Sequence, residues 1–294
     1  MKPAPFTYYR PDSVAETVEL LGAHGDDGKL LAGGQSLIPM MNLRLAQPAV
    51  LIDLGGVTEL AGIRRNGALE IGATTRQAAA LVSSEVAEAA PLLQRALGFV
   101  GHPANRNRGT VGGSLAHADP AAELPAVALA LGASFSIRGP SGTRSVAADD
   151  FFKSYLTTAV SPDEFLADVV FPSVRPEHNR AGFCEVSRRH GDFALVGAAV
   201  SISLSSRGDV EEARVALMGV ADRAVRIHEA ESALLGHRLE EAALPREIGA
   251  IAARELDPPF DQQASSQYRK DVAAVVVERA LHACRDETAA REGM

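Results

Sequence analysis

Hydrophobic positions in the first part of the chain fall into short strand-like runs and one clear helical period. The capping pair Ser13 and Glu16 precedes apolar residues at helical spacing over 14–21, which predicts an N-terminal helix. Continuous apolar runs at 29–32 and 50–53 are short and bounded by turn residues. Such runs are typical of buried strands, so we expect two short strands here, the first of which enters a tight turn at Gly33-Gly34.

A β-hairpin and two helices are predicted next, followed by a segment with a different pattern. Asn66-Gly67 separates two apolar runs and is a strong hairpin signal. Helical spacing continues over 75–82 and 84–97, although Pro91 interrupts the second stretch. The segment 101–114 is rich in Gly, Asn, Arg and Pro and has no apolar period. We therefore expect a long irregular loop there, and such loops are usually functional.

The second part of the chain predicts a separate unit. A hairpin with its tip at 139–142 and a strand at 164–171 complete the first unit, and the Pro-rich stretch 172–176 is the best linker. Beyond it, alternating residues over 196–204 predict a strand with one buried face. Three helical stretches then follow a strand at 210–218, at 223–235, 240–255 and 265–285. This pattern indicates an antiparallel sheet packed by helices, so the predicted class is α+β.

Composition narrows the classes of function. The 294 residues are 46% hydrophobic and 22% charged, which excludes wholesale disorder and suits about two domains. A net charge of -8 makes binding to nucleic acid or anionic lipid improbable. The longest apolar stretch, 126–133, is far shorter than the roughly 20 residues that span a bilayer. The first residues lack the apolar core of a secretion signal, and we expect a cytoplasmic protein.

The two cysteines, Cys184 and Cys284, limit the metal chemistry of the chain. They are too few for a disulfide framework, a zinc site of the CxxC type, or a four-cysteine iron–sulfur cluster held by this chain alone. His102, His117 and His190 have no helical metal-ligand spacing, so no metal site is expected. No nucleophile with a base, and no paired carboxylates with an evident role, is visible, so no catalytic side chain is assigned.

Two glycine-rich segments could bind phosphate. Gly33-Gly34 and Gly112-Gly113 each have a hydroxyl residue at the same offset, and we expect their amides to converge on an anion because no Cβ blocks the approach. A single Gly-Gly pair is more often a tight turn. Two of them suit the two phosphates of a dinucleotide. Neither segment matches the Rossmann or P-loop pattern, which favours a flavin over a nicotinamide.

The same segments carry a family resemblance. Residues 32–37 and 110–115, with 116–125, 164–166 and 187–194, resemble the FAD-binding, or medium, subunit of molybdenum hydroxylases. That family includes the medium subunit of carbon monoxide dehydrogenase and the FAD domain of xanthine dehydrogenase. The blocks occur in the family's order and extend over nearly the whole chain. The resemblance implies an FAD-binding domain of the vanillyl-alcohol-oxidase-like (PCMH) type, followed by a smaller α+β C-terminal domain.

The resemblance also implies domain bounds and site residues. The FAD-binding domain would cover 1–174, with subdomains at about 1–55 and 56–174, the C-terminal domain 177–285, and a tail 286–294. No catalytic or metal-binding residue is implied. The residues implied to bind FAD are Lys29, Leu30, Leu31, Ala32, Gly33, Gly34, Gln35, Ser36, Thr110, Val111, Gly112, Gly113, Ser114, Glu123, Leu166, Asp192 and Phe193.

By resemblance, the chain is an electron-transfer subunit rather than a complete enzyme. The implied partners are a large subunit with a molybdenum cofactor and a small subunit with [2Fe–2S] clusters, as a dimer of heterotrimers. Glu123 stands where the family usually has Asp, and Cys184 where the xanthine type has Lys, which puts both flavin contacts in question. Two alternatives remain open: a self-sufficient flavin oxidase and a non-redox nucleotide-binding scaffold. The oxidised substrate and the final acceptor are not indicated.

Overall fold

A small parallel sheet forms the N-terminal part of the structure, a computed structural model that describes residues 2–174 and 177–292. Its strand order is β1-β3-β2. The Ser13 hydroxyl accepts the amide of Glu16 and begins the first helix as predicted. The elements of this part are β1 (Thr7–Tyr9), α1 (Val14–His24), β2 (Gly28–Leu31), α2 (Leu37–Asn42) and β3 (Val50–Asp53).

A five-stranded antiparallel sheet with helices on one side forms the next part, with the order β4-β5-β10-β6-β7. The predicted hairpin is confirmed, with Gly67 in its turn at a φ of 77°. The elements are β4 (Ile63–Asn66), β5 (Ala68–Gly72), α3 (Gln77–Val82), α4 (Ser84–Ala89), α5 (Pro91–Leu97), α6 (Pro103–Arg108), α7 (Val111–His117), α8 (Glu123–Ala130), β6 (Ser134–Gly139), β7 (Gly142–Ala147), α9 (Ala148–Phe151), β8 (Phe152–Ser154), β9 (Thr157–Thr158) and β10 (Phe165–Phe171).

The prediction of an irregular loop over 101–114 was wrong, because this segment contains α6 and begins α7. Local capping starts both helices without an apolar period. The His102 amide donates to Asn105 Oδ1 at 3.1 Å, with Pro103 in the first turn, and Thr110 Oγ1 accepts the amide of Gly113 at 3.0 Å. The helix predicted over 84–97 is in fact two helices, since Pro91 starts a new one.

The C-terminal part is an antiparallel sheet with the order β11-β12-β13-β14, covered by helices. It follows the predicted linker, of which Arg175 and Pro176 lie outside the described residues. The last helix continues to Glu292, well into the segment predicted as a tail. The elements are β11 (Asn179–Ser187), β12 (Ala194–Leu204), β13 (Val210–Met218), β14 (Val225–Arg226), α10 (His228–Leu234), α11 (Leu244–Glu255) and α12 (Ser266–Glu292).

The prediction that β12 buries only one face was wrong. On one face, Val196 and Val200 belong to a core shared with α12, where Val276 is fully buried. On the other face, Ala199 packs into the core that contains α5 and α8. The sheet therefore lies between its own helices and those of the preceding part. The side chains on this second face are small or polar, so along the sequence they alternate with the large apolar ones of the first face. That alternation is typical of a strand with one exposed face, although here both faces are buried.

The predicted α+β class with a C-terminal antiparallel sheet is confirmed. The chain forms two main hydrophobic cores and a smaller one beside the N-terminal sheet. The interface between the sheet of the C-terminal part and helices α5 and α8, which we call the domain seam, includes the ring contact between Phe99 and Phe183 at 5.1 Å. A backbone hydrogen bond from Gly219 to Pro120 also crosses it, at 2.8 Å.

Candidate functional site

The segment 32–36, which we call the first loop, offers free backbone amides. Gly33, Gly34, Gln35 and Ser36 lie between β2 and α2, and their amides donate to no acceptor within the described residues. Backbone N–H groups in folded proteins almost always have a partner, either in the protein or in its ligand and solvent. Consecutive amides of this kind form an anion-binding concavity, and the start of a helix directly after them adds positive potential.

The two glycines of the first loop have different roles. Gly34 has a φ of 72°, a left-handed conformation that residues with a Cβ rarely adopt. Gly33 lies against the following glycine-rich segment, because a Cβ there would stand 2.5 Å from the carbonyl oxygen of Arg108 and 2.7 Å from the Cα of Gly109. This steric reason for glycine at position 33 stands beside the expectation that a Cβ there would block a phosphate. This glycine allows two backbone segments to touch.

The segment 109–114, which we call the second loop, does not present its amides as the first one does. The amides of Val111 and Gly112 donate to the carbonyl oxygens of Thr75 and Ala73, at 2.9 and 3.0 Å. The Gly113 amide is used by the Thr110 cap. The expectation that both glycine pairs direct converging amides at a ligand is thus wrong for the second pair. Its glycines lie in the first turn of α7, and a Cβ on Gly112 would collide with Ala73.

The first loop lies against the end of α6 and the start of the second loop. Besides the contact at Gly33, the Asn105 side chain donates to Gln35 Oε1 at 3.2 Å, and Gln35 in turn donates to the Gly33 carbonyl at 3.3 Å. Arg76 strengthens the second loop by donating to the carbonyl of Arg108. Sequence reasoning did not select Asn105 or Arg76. The only signal for Asn105 was its place in the segment without apolar period.

The C-terminal part also reaches this region, through the segment 188–193 between β11 and β12. A Cβ on Gly191 would meet the ring of His102 at 2.6 Å, so the segment lies directly on the start of α6. Phe193 is 58% exposed, which leaves its ring free to contact a ligand. Asp192 is exposed as well. Asp192 and Phe193 therefore directly follow the point at which the C-terminal part touches the start of α6.

The remaining selected residues have varied surroundings. Lys29, Leu30 and Leu31 form β2, and Lys29 is exposed. Leu166 is only 4% exposed and belongs to the core behind α7. Of the arginines near the loops, Arg106 donates to the carbonyls of Val100 and Gly101, which occupies part of its guanidinium. Ala32 and Ser114 are partly exposed beside the glycines.

Two further questions are whether the described residues could bind a metal ion or span a membrane. The rings of His102 and His190 meet edge to face at 6.2 Å. Among the side chains of residues 2–174 and 177–286, no three His, Cys, Asp or Glu groups are placed so that they could hold a metal ion. Within the same ranges, no helix has both the length and the apolarity needed to cross a membrane.

Comparison with protein families covers both parts of the chain. Residues 4–174 match the FAD binding domain in molybdopterin dehydrogenase, and residues 181–284 match the CO dehydrogenase flavoprotein C-terminal domain. The chain belongs to this family. It is an FAD-binding flavoprotein subunit of the molybdenum hydroxylase type, and the resemblance stated from the sequence is confirmed.

Individual relatives match over almost their whole length. The 6-hydroxypseudooxynicotine dehydrogenase complex subunit alpha of Paenarthrobacter nicotinovorans is 40% identical, over 96% of this chain and 95% of its own. The carbon monoxide dehydrogenase medium chain of Hydrogenophaga pseudoflava is 39% identical, over 96% and 98%. The crystal structure of carbon monoxide dehydrogenase from that organism superposes with a TM-score of 0.93, covering 97% of this chain and 99% of the matched chain. Several of these relatives are medium subunits of larger complexes.

The free amides of the first loop fit the diphosphate of an FAD cofactor. Two acidic residues, Glu123 and Glu185, lie beside the domain seam, and sequence reasoning missed the second of them. Glu123 begins α8 and is 5% exposed. Glu185 on β11 lies on the same face of the strand as Phe183, towards the domain seam, whereas Cys184 packs with the helices of the C-terminal core. Cys184 therefore points away from the seam. The signal for Glu185 was a carboxylate in a strand whose other residues are mostly apolar.

Burial controls the protonation of both carboxyl groups. It raises the pKa of Glu123 to about 7, and the charge of Asp119 acts in the same direction. Burial raises the pKa of Glu185 to about 8, with a further contribution from the charge of Glu123. The Glu185 Oε2 atom is buried and has no hydrogen-bond partner among the described residues. A buried polar atom of this kind is expensive unless a ligand or water meets it.

Proposed function

We propose that this subunit takes electrons from [2Fe–2S] clusters of a partner chain onto its FAD and passes them to an external acceptor. A third chain, with a molybdenum cofactor, would oxidise the substrate, and two such heterotrimers would associate. Bound FAD supplies the redox chemistry, because it exchanges one or two electrons together with protons. This chain's own residues bind the cofactor, orient it and set the electrostatics around it.

The observation that carries the proposal is the free amides of the first loop in a chain that matches the family from end to end. The amides of Gly33, Gly34, Gln35 and Ser36 suit the diphosphate of FAD. From there the cofactor would pass the second loop and reach the segment that carries Asp192 and Phe193. This path uses the selected residues of both loops together with Asp192 and Phe193. Lys29 to Leu31 lie on β2, which leads into the first loop, Glu123 lies on α8, and the Leu166 side chain is buried in the core.

The division of work among subunits is supported by the side chains available here. Only two cysteines are present, and Cys284 is fully buried. The electrons must therefore reach FAD from clusters held elsewhere, since a [2Fe–2S] cluster needs four ligands. A chain with so few cysteines has no disulfide framework of the kind that secreted proteins carry, and we place the complex in the cytoplasm.

The test is to purify the tagged chain with its co-purifying chains and identify them by mass spectrometry. Flavin, iron and molybdenum are then determined, and electron flow is followed by rapid mixing. We expect flavin bleaching when substrate is added to the complex and none when it is added to the isolated flavin-loaded chain. Substrate-dependent bleaching in the isolated chain would replace the proposal with a self-sufficient oxidase. A chain that takes up no FAD would support a scaffold role.

A further inference from the structure

The inference concerns a β-bulge at the start of β12, directly after the segment 188–193. The pairing shifts there from Val196 to Ala194 for two consecutive residues of β11, so Leu195 has no residue of that strand opposite it. A bulge bends its strand and redirects the side chains beside it, and bulges are frequent next to active sites. The bulge at Leu195 therefore helps to set the direction in which Phe193, two residues earlier, leaves the sheet.

Arg269, near the start of α12, donates hydrogen bonds to the backbone at this bulge. Its Nη1 atom lies 2.5 Å from the carbonyl oxygen of Leu195 and 2.9 Å from that of Gly219, which directly follows β13. Its Nη2 atom lies 2.8 Å from Asp261 Oδ2. Arg269 is only 6% exposed, and hydrogen bonds from a charged donor are among the strongest in proteins. One guanidinium group thus joins the bulge, the end of β13 and the loop 256–265 between α11 and α12.

The segment 188–193 has few contacts of its own that could fix its position. All of its residues are exposed except Gly191, which is partly buried. Its internal hydrogen bond is local, from the Asp192 amide to the carbonyl of Arg189 at 3.1 Å. Gly191 lies on the ring of His102, which limits the segment from one side. Segments with few buried contacts open at low free energy, so the base of this one needs an anchor.

The loop 256–265 supports the segment at a second point and is itself tied to Arg269. The Arg188 side chain donates to the carbonyl of Gln263, at 3.3 Å. Asp261 orders this loop, because its Oδ1 atom accepts the amide of Gln263 at 2.8 Å while its Oδ2 atom binds Arg269. Both the bulge and the loop that Arg188 contacts therefore depend on the same guanidinium group.

The bulge is also in direct contact with the FAD-binding part. A Cβ on Gly219 would stand 2.3 Å from the carbonyl oxygen of Leu195, so these two backbone segments touch. The amide of Gly219 donates to the carbonyl of Pro120 at 2.8 Å, and Pro120 follows soon after α7, the helix that begins in the second loop. Contacts between neighbouring groups thus connect Arg269 with the FAD-binding part as well as with the segment that carries Phe193.

We propose that Arg269 is a positioning residue for the flavin: by holding the bulge at Leu195, it sets the orientation of Phe193 towards the bound FAD. The proposal rests on the proposed function, because it takes Phe193 as a contact of the flavin. Arg269 is buried and acts through Phe193 rather than on the cofactor itself. Without the guanidinium group, the 58% exposed ring of Phe193 would no longer be confined to one orientation.

The first measurement needs no bound flavin. In hydrogen exchange of the FAD-free full-length chain, peptides covering 187–196 should exchange about 10- to 100-fold faster in Arg269→Met than in the wild type, because the charged hydrogen bonds at the base of the segment are lost. The matched control is Arg226→Met. Arg226 is also largely buried, but its hydrogen bonds go to Glu231 and Asp149. This control should lower the Tm without changing exchange over 187–196.

The second measurement uses the FAD-loaded chain, reduced with dithionite and reoxidised by ferricyanide. Arg269→Met should retain FAD, since the first loop is unchanged, and its reoxidation rate should shift in the same direction as that of Phe193→Ala. The double variant should behave as Phe193→Ala alone, because Arg269 acts through that ring. Arg269→Lys keeps a charged donor and should restore part of the wild-type rate and of the wild-type exchange. Arg226→Met should reoxidise at the wild-type rate.

The outcomes distinguish this inference from the proposed function. Wild-type exchange over 187–196 in Arg269→Met, or a shift in reoxidation rate that adds to that of Phe193→Ala in the double variant, would overturn the inference. A Phe193→Ala variant with the wild-type reoxidation rate would overturn the ring contact and the inference together, while leaving FAD binding intact. A wild-type chain that takes up no FAD would overturn the proposed function.

A further variant covers the case in which Arg269→Met does not fold. Asp261→Asn removes the charge that holds the guanidinium group but keeps an Oδ1 acceptor for the amide of Gln263. It should speed exchange over 187–196 by a smaller factor and shift the reoxidation rate in the same direction as Phe193→Ala. Wild-type values of both would count against Arg269 as the anchor.

Discussion

Replacing Gly33 with alanine tests whether contact between the two loops is needed to hold FAD. The new Cβ would stand 2.5 Å from the Arg108 carbonyl oxygen, and an ordinary contact requires about 3.4 Å, so one backbone must move by about 0.9 Å. The same movement would lengthen the 3.2 Å hydrogen bond between Asn105 and Gln35 to about 4 Å, beyond hydrogen-bonding distance. The first loop would then lose the geometry of its free amides.

Over-packing of this kind typically destabilises by about 1–3 kcal/mol. If this destabilisation affects only the FAD-bound form, the Kd for FAD rises about 5- to 150-fold, since about 1.4 kcal/mol corresponds to a factor of ten. The assay combines the ratio of flavin to protein after gel filtration, the Kd from fluorescence titration of the apoprotein, and thermal unfolding of the apo and FAD-bound forms. If the substitution also destabilises the fold itself, the Tm of both the apo form and the FAD-bound form will fall.

The matched control is Gly22→Ala in α1, where a Cβ meets nothing within 4 Å. Alanine in a helix interior is more favourable than glycine by about 1 kcal/mol or less, so this variant should bind FAD normally and be slightly more stable. The reasoning is refuted if Gly33→Ala binds FAD with unchanged Kd and both of its forms unfold at the wild-type temperature. That result would mean that the two loops do not need to touch.

Further predictions address the cap, the exposed ring and two carboxylates. Thr110→Val removes the hydroxyl that caps α7 and should destabilise the chain by about 0.5–2 kcal/mol, measured by urea unfolding; a change below 0.3 kcal/mol would contradict the role of the cap. Phe193→Ala should keep FAD bound and the Tm within a degree or two, because the ring is 58% exposed, but should change the flavin potential or the rate of reoxidation; unchanged redox behaviour would argue against a ring contact. The hydrogen-bonded Arg144 guanidinium lowers the pKa of Glu164 to about 2, so this pair stabilises the fold above about pH 4.5 and the contribution is lost as the pH falls towards 2; Arg144→Met should show a smaller loss of Tm over that range than the wild type. For Glu185 the sign is opposite: the folded pKa, about 8, is above the ordinary value of 4.5, so wild-type stability should fall as the pH rises from 4.5 to 8, and Glu185→Gln should gain in Tm relative to the wild type at pH 9; equal profiles would show that the carboxyl is solvated.

Local signals in the sequence predicted most of the strands and the hairpins. The run Val50–Asp53 is the central strand of the N-terminal sheet, and Asn66-Gly67 forms the predicted turn. These predictions succeeded because an apolar run between turn residues, or a dipeptide with a positive φ, determines its own conformation. The helices α6 and α7 were missed, since side-chain caps at Asn105 and Thr110 start them rather than an apolar period.

The site was predicted in part, for a related reason. The sequence identified both glycine pairs but not the difference between them. That difference depends on whether backbone carbonyl groups elsewhere in the fold accept hydrogen bonds from their amides. Ala73 and Thr75 are distant in sequence from Gly112, and nothing in the local pattern shows that they accept the amides of the second loop. Glu185 was missed because Glu123, whose charge adds to the effect of burial on its pKa, lies in the other domain. A residue's partners across a domain interface leave no periodic signal in its own segment.

The doubly buried sheet has a consequence for how this subunit can be divided. The two family models end and begin on either side of residues 175–180, yet Phe183, Ala199 and Met218 pack into one core with Leu93 on α5. A chain cut at that junction would give two fragments. Each fragment would expose an apolar surface that is buried in the whole chain, and such surfaces promote aggregation. Exchange of the C-terminal segment between relatives would therefore succeed only if the surfaces of α5 and α8 were inherited with it.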